Sequence, residues 1–127
     1  MKFTFWGTRG SIPTPSNPQS PTDRYGGDNT CVSLEWGQDG LLIVDAGTGI
    51  RRAGFHWLRS GRKDFTLLFT HGHWDHLQGF PFFAPAYIEG NTIEVLSPRL
   101  PSRPPGNIIQ KALHAHQDIP LDGAAVD

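Results

Sequence analysis

Three histidines and one aspartate occupy a six-residue segment immediately after a short apolar run. Residues 67–79 read LLFTHGHWDHLQG, and the run over residues 65–69 is typical of a buried strand. Polar, titratable side chains cost free energy when they are buried without partners. A shared cation would satisfy them. This segment therefore constrains the fold most, because it predicts a core strand that ends in a group of metal donors.

Backbone periodicity predicts how these side chains are directed. In an extended chain, residues two apart point the same way, so His71 and His73 present their imidazoles together. Asp75 and His76 follow as the chain turns, and a helix that begins at Asp75 would swing both toward a second point. Imidazole and carboxylate at this spacing suit zinc, and also manganese or iron. A solvated polar loop is the alternative interpretation.

The composition is that of an ordinary globular chain. Its 127 residues are 37% hydrophobic and 18% charged, with a formal net charge of −1, which predicts a single domain over residues 1–127. The charge excludes a general attraction to nucleic acid or to an anionic membrane. No apolar run suits a membrane span or a signal peptide, and the lone Cys31 excludes an internal disulfide. We expect a cytoplasmic protein without a membrane partner.

Short apolar runs separated by glycine and proline predict a sheet with interleaved helices. The predicted strands span residues 2–6, 31–36, 41–45, 65–69 and 92–96. One helix is predicted between Thr48, as its N-cap, and Gly61, as its stop, and another over residues 107–116. Residues 41–44 are apolar on both faces, which predicts a central strand that is covered on both sides. This order favours an α/β (α+β) arrangement.

Several segments resemble one known family. THGHWDH, at residues 70–76, resembles the His-x-His-x-Asp-His signature of the metallo-β-lactamase superfamily. The surrounding segments are similar to its phosphodiesterase-like branch, near RNase Z and cyclic-nucleotide phosphodiesterases: GTRGSIPTP at 7–15, YGGDNTCV at 25–32, LLIVDAGTGIRRAG at 41–54 and HLQGFPFFAPAY at 76–87. The resemblance covers most of residues 1–97. It implies the N-terminal half of an αββα sandwich.

The resemblance also implies a hydrolase with two divalent metal ions, most commonly zinc, that activate a hydroxide. His71 and His73 would hold the first ion, and Asp75 and His76 the second. Asp75 would also be catalytic, by orienting the bridging hydroxide or accepting its proton. Asp45, in VDAGTG, matches an aspartate that ends a core strand beside the site. It would fix the histidine-bearing loop through hydrogen bonds.

The substrate that the resemblance implies is a phosphodiester, either a cyclic nucleotide or another small molecule, or RNA. Arg9 and Arg24 are candidates for contact with its phosphate, and Phe82 for stacking on a base. Solvated arginines and a core phenylalanine are the alternative interpretations. The alternative activities are hydrolysis of a thioester or lactam, within the same superfamily, or none, in a truncated metal-binding or interaction module.

Members of this family complete the site with a His, an Asp and a His from the second half of the fold. Here His114 and His116 are the histidines that follow the motif. The resemblance implies that this region lies away from the metals, so we expect both at the surface. Two such residues on a helix point roughly 200° apart, which also disfavours joint chelation. The chain is expected to be an N-terminal portion that leaves one apolar sheet face open. A homodimer or another association would then cover that face.

Overall fold

Five strands pair side by side in the order in which they occur along the chain. The computed structural model describes residues 1–98. The strands are β1 (Lys2–Gly7), β2 (Cys31–Trp36), β3 (Gly40–Val44), β4 (Asp64–Leu68) and β5 (Thr92–Leu96). The helix α1 (Ile50–Ser60) connects β3 to β4, and 3₁₀ turns at Trp74–His76, Phe80–Phe82 and Ala84–Tyr87 lie between β4 and β5. The α/β class is confirmed, and each predicted strand is present to within one residue.

The direction of the strands brings the functional segments to one edge of the sheet. β1 and β3 are each antiparallel to β2, and β3, β4 and β5 are mutually parallel. β1, β3, β4 and β5 therefore all end at the same edge. Asp45 follows β3 there, and residues 70–76, which we call the histidine loop, follow β4. Such an edge is the usual position of a ligand site in an open α/β sheet.

The helix α1 covers one face of the sheet, and this face is the core. Its buried residues, Ile50, Ala53, Gly54 and Trp57, follow the spacing of one helical face. Beneath them lie fully buried strand residues such as Ile43 and Leu67. The 3₁₀ turns after the histidine loop add Phe80 and Phe83 to the same cluster.

One end of α1 agrees with the sequence prediction and the other does not. Gly61 ends the helix in the left-handed conformation with a φ of 74°, as predicted. The prediction of Thr48 as the N-cap is wrong, because Gly49 occupies that position and contributes no side-chain hydrogen bond. The Thr48 hydroxyl instead accepts the backbone N–H of Asn29 and donates to the Asp28 carboxylate, each at 2.9 Å. A tertiary contact has replaced the local one.

The second face of the sheet is only partly covered by the residues that the structure describes. The strand register places one apolar line across all five strands, formed by Phe5, Val32, Val44, Leu68 and Leu96. Phe5 is 68% exposed and Leu96 is 43% exposed. Within residues 1–98, β3 is thus covered on one face rather than two. A partner on this face stays a prediction.

Two predicted features lie outside the described residues. They are the helix over residues 107–116 and its histidines, His114 and His116. Among residues 1–98, no helix has the length and apolar character needed to cross a membrane.

Adjacent leucines on β4 test which face of the sheet is the core. Leu67→Ala removes a fully buried side chain and is expected to lower the free energy of unfolding by about 2–5 kcal/mol. Leu68→Ala, on the partly covered face, is the matched control, with an expected loss of about 1 kcal/mol or less. Urea denaturation followed by circular dichroism measures both. Equal losses would show that the second face is also packed in solution.

Candidate metal centre

A buried carboxylate at the end of β3 organises the histidine loop. Asp45 is 2% exposed and has a φ of 61°, a conformation that non-glycine residues rarely adopt. Its Oδ1 accepts the backbone N–H of Thr70 at 2.8 Å, and the Thr70 hydroxyl lies within 2.9 Å of both carboxylate oxygens. Its Oδ2 lies 2.7 Å from Nδ1 of His76. Asp45 therefore ties both ends of the histidine loop to the sheet.

The three imidazoles of this loop gather in one place. The ring centroid of His71 is 4.4 Å from that of His73 and 4.1 Å from that of His76. Nδ1 of His71 lies 3.0 Å from the Thr70 hydroxyl, and Nδ1 of His76 contacts Asp45. A contact at Nδ1 leaves the opposite nitrogen, Nε2, as the atom of each ring that could bind a metal ion.

The carboxylate of Asp75 is held by the backbone of a distant loop. Its Oδ2 accepts the N–H of Ser11 at 2.8 Å and lies 3.6 Å from Nε2 of His76. The Ser11 hydrogen bond lowers the pKa of Asp75 below its ordinary value, and the charges of His76 and His73 act in the same direction. Ser11, with a φ of 64°, and Asp45 are the two non-glycine residues with positive φ in the described chain. Both strained residues contact metal-ligand candidates, as is common at functional sites.

The spacing of His76 and Asp75 fits a shared cation. Two atoms bound tetrahedrally to one zinc ion lie about 3.4 Å apart, and Nε2 and Oδ2 are 3.6 Å apart. Asp45 would hold the other ring nitrogen, as carboxylates do behind metal-bound histidines. In residues 1–98, however, no group of three or more His, Cys, Asp or Glu side chains is arranged to hold a metal ion. The exposed side chains of His71 and His73 would have to rotate to complete one.

The predicted substrate-binding residues fall into two separate places. Arg9 and Arg24 line one polar cavity of about 250 Å³. Phe82 is 52% exposed and lines a different cavity of about 290 Å³, together with Arg51 and Arg52. The structure thus brings the two predicted arginines together and separates them from the aromatic residue.

The local structure of the loop differs from the prediction in one respect. Instead of a helix that begins at Asp75, the chain forms a single 3₁₀ turn over Trp74–His76. Gly79 and Pro81, which disfavour a longer helix, follow closely. The short turn still places Asp75 next to His76.

Sequence reasoning missed several residues that shape the centre. The Ser11 contact is made by a backbone N–H, which any residue except proline has, so the sequence holds no signal for it. Thr70 could have been suspected, because its hydroxyl directly precedes His71 at the strand end. Asn29 donates through Nδ2 to the Arg9 carbonyl and accepts at Oδ1 from Gln78. These two contacts join segments that are far apart in the sequence.

A comparison with protein-family models matches residues 24–124 to the metallo-beta-lactamase superfamily. The chain belongs to the metallo-β-lactamase superfamily. The match includes Asp45 and the whole histidine loop, and the superfamily has a metal-dependent hydrolase fold whose members usually bind divalent metals. The mixed sheet with few helices is consistent with part of that fold. Comparisons with curated proteins and with solved structures gave no significant match.

The lowered pKa of Asp75 predicts how stability depends on pH. A carboxylate whose pKa is lowered by folding stabilises the folded state above the ordinary pKa of about 3.9. That stabilisation is lost as the pH falls through the lower folded-state value. We expect Asp75→Asn to lower the free energy of unfolding of metal-free protein at pH 6, with a smaller difference from the parent below about pH 4. Chemical denaturation in EDTA across this range measures the effect. A difference that is independent of pH would contradict it.

Proposed function

We propose that the protein is a metal-dependent phosphodiesterase that acts on a cyclic nucleotide or on RNA. The observation that carries the proposal is that the three imidazoles of the histidine loop lie close together, with the Asp75 carboxylate beside His76. They lie at the edge of the sheet where Asp45 contacts His76. His71 and His73 would hold one divalent ion, and Asp75 and His76 a second, with zinc favoured over manganese or iron. When bound, two such ions supply a nucleophile at neutral pH and neutralise charge on the phosphoryl oxygens.

In this proposal the side chains of the loop position the reacting water. Ser11 donates to Oδ2 of Asp75, the oxygen that also faces Nε2 of His76, which leaves Oδ1 to orient the water and accept its proton. The lowered pKa keeps Asp75 ionised, so that Oδ1 can accept a hydrogen bond from the water. As the water oxygen bonds to phosphorus, the bond to the leaving oxygen breaks on the opposite side. Asp45 keeps the His76 ring in one orientation during this step.

The cavity that contains Arg9 and Arg24 supports a substrate with a phosphate group. Guanidinium groups are suited to the paired oxygens of phosphate. The backbone that carries Arg9 continues to Ser11, so the cavity and the Asp75 carboxylate are linked by a short stretch of chain. We propose that Phe82, in the separate cavity with Arg51 and Arg52, stacks on a base when the substrate is RNA.

One observation favours a second candidate, a non-catalytic metal-binding or interaction module. It is that no three-donor group is preformed among residues 1–98. Hydrolysis of a thioester or a lactam is the further alternative within the superfamily. Metal-dependent turnover of different substrate classes distinguishes all three.

Hydrolysis of bis-p-nitrophenyl phosphate tests the phosphodiesterase proposal. We expect turnover with added zinc or manganese, its loss in EDTA, and its return when the metal is restored. His73→Ala is expected to lower turnover at least about 100-fold, because it removes a proposed ligand. The control is His56→Gln on α1, whose ring packs near Trp6 rather than in the histidine loop. If folded protein shows no turnover with either metal, the proposal is wrong, and turnover of only a thioester or lactam would identify the alternative.

Substitution of Arg24 tests the phosphate cavity. Arg24→Ala is expected to raise KM for a dinucleotide about tenfold, the equivalent of about 1.4 kcal/mol, with kcat little changed. Arg59→Ala, at the exposed end of α1, is the matched control. Steady-state kinetics separates the two parameters. A fall in kcat without a change in KM would contradict a binding role.

A further inference from the structure

Asn29 is a fully buried polar residue whose hydrogen-bonding groups are all engaged. It is 0% exposed, and its side chain lies outside any strand or helix. Its Nδ2 donates to the carbonyl of Arg9 at 3.1 Å, and its Oδ1 accepts Nε2 of Gln78 at 2.6 Å. Its backbone N–H donates to the Thr48 hydroxyl at 2.9 Å, and its carbonyl accepts the N–H of Gly49 at 3.3 Å. A buried amide is tolerated only when it is satisfied in this way.

The partners of Asn29 belong to the three segments that form the candidate centre. Arg9 lies in the loop whose Ser11 N–H contacts Asp75. Thr48 lies in the turn that follows Asp45, and Gln78 lies two residues after His76. A single residue therefore joins the proposed phosphate cavity, the Asp45 turn and the histidine loop.

The backbones of these segments also pack directly against Asn29. A Cβ atom at Gly47 would lie 2.6 Å from the carbonyl carbon of Asn29, and one at Gly7 would clash with its carbonyl oxygen. Only glycine permits such an approach. The turn after Asp45 and the end of β1 are thus packed closely against the backbone of Asn29.

The amide of Asn29 is required by its partners rather than by the surrounding core. A leucine of similar size would fill the same space, but it would remove the acceptor of the Gln78 amide and leave the Arg9 carbonyl with the longer contact from the Thr30 hydroxyl, at 3.4 Å. Serine and threonine lack a side chain that donates at one atom and accepts at another on opposite sides. The identity of residue 29 is therefore set by the two loops that it joins.

We propose that Asn29 is a positioning residue that fixes the loop carrying Arg9 and Ser11 against the histidine loop. The contact with Gln78 holds the segment that follows His76, so its loss weakens metal binding. The contact with Arg9 holds the backbone that lines the phosphate cavity in place, so its loss weakens substrate binding. The second effect rests on the proposed phosphodiesterase function, whereas the first requires only that the histidine loop binds metal.

Two substitutions separate these contacts. Gln78→Met removes the donor to Asn29 while keeping the side-chain length, and Gln38→Met, in the exposed turn before β3, is its matched control. Asn29→Asp keeps the acceptor for Gln78 and replaces the donor to Arg9 by a carboxylate oxygen, so that the contact with the Arg9 carbonyl becomes repulsive. Asn17→Asp is its control, because Asn17 uses only its Oδ1, in an exposed turn of the same loop.

The readouts are zinc affinity, by competition with a chromophoric chelator, thermal stability and KM for a dinucleotide. We expect Gln78→Met to lower zinc affinity about 10–100-fold, as changes behind metal ligands do. We expect Asn29→Asp to keep zinc affinity within a few-fold of the parent but to raise KM. The controls should change neither quantity. Thermal stability identifies any variant that does not fold, and Gln78→Met decides the metal effect if Asn29→Asp does not fold.

Three results would overturn the inference. They are a parent that does not bind zinc, a folded Gln78→Met variant with parental zinc affinity, and an equal loss of affinity in Gln38→Met. If the parent binds zinc but hydrolyses no phosphodiester, the proposed function is wrong. The zinc measurements then still decide whether Asn29 positions the histidine loop.

Discussion

The buried carboxylate of Asp45 is the constraint on which the candidate centre depends. A carboxyl group that is 2% exposed requires hydrogen-bond partners, and it finds them in Thr70 and in Nδ1 of His76. These partners are within reach because Val44 and Leu68 pair in adjacent parallel strands, about 4.8 Å apart, so that the following residues leave the sheet together. Sheet register and loop geometry are therefore not independent. A change in the pairing of β3 with β4 would separate Asp45 from the loop that it orients.

Local sequence patterns predicted the five strands, the helix α1 and the group of candidate metal ligands. The features that they missed depend on tertiary contacts. The apolar runs predict the bounds of the strands to within one residue, because the burial of each strand side chain leaves an apolar residue at that position of the sequence. The Ser11–Asp75 contact joins residues 64 positions apart through a backbone N–H, and the Asn29–Gln78 contact spans 49 positions. Neither leaves a local pattern. Thr48 has the local preference of an N-cap, but its hydroxyl is used by Asn29, so a tertiary partner outweighed that preference.

The two faces of the sheet have different roles, although β3 is apolar on both. The face beneath α1 is complete, with Ile43 and Leu67 fully buried. The opposite face carries the apolar line that runs from Phe5 to Leu96, both of which are largely exposed in the described chain. A continuous apolar strand is typical of a layer with neighbours on both sides. The sequence pattern thus predicts a second packed layer, which is the arrangement that an αββα sandwich requires.

In the candidate centre, the residues that support the histidine loop are buried and the proposed ligands His71 and His73 are exposed. The residues that orient the site, Asp45 and Asn29, are almost completely buried, whereas His71 and His73 are exposed. Hydrogen bonds are stronger where water is excluded, so supporting groups hold their partners most firmly in the interior. Ligands must instead be reached by an ion and a substrate from solvent. Of the two residues with positive φ, Asp45 lies in the buried part and Ser11 at the exposed surface. Burial thus falls on the residues that support the centre, and exposure on the residues that we propose as metal ligands.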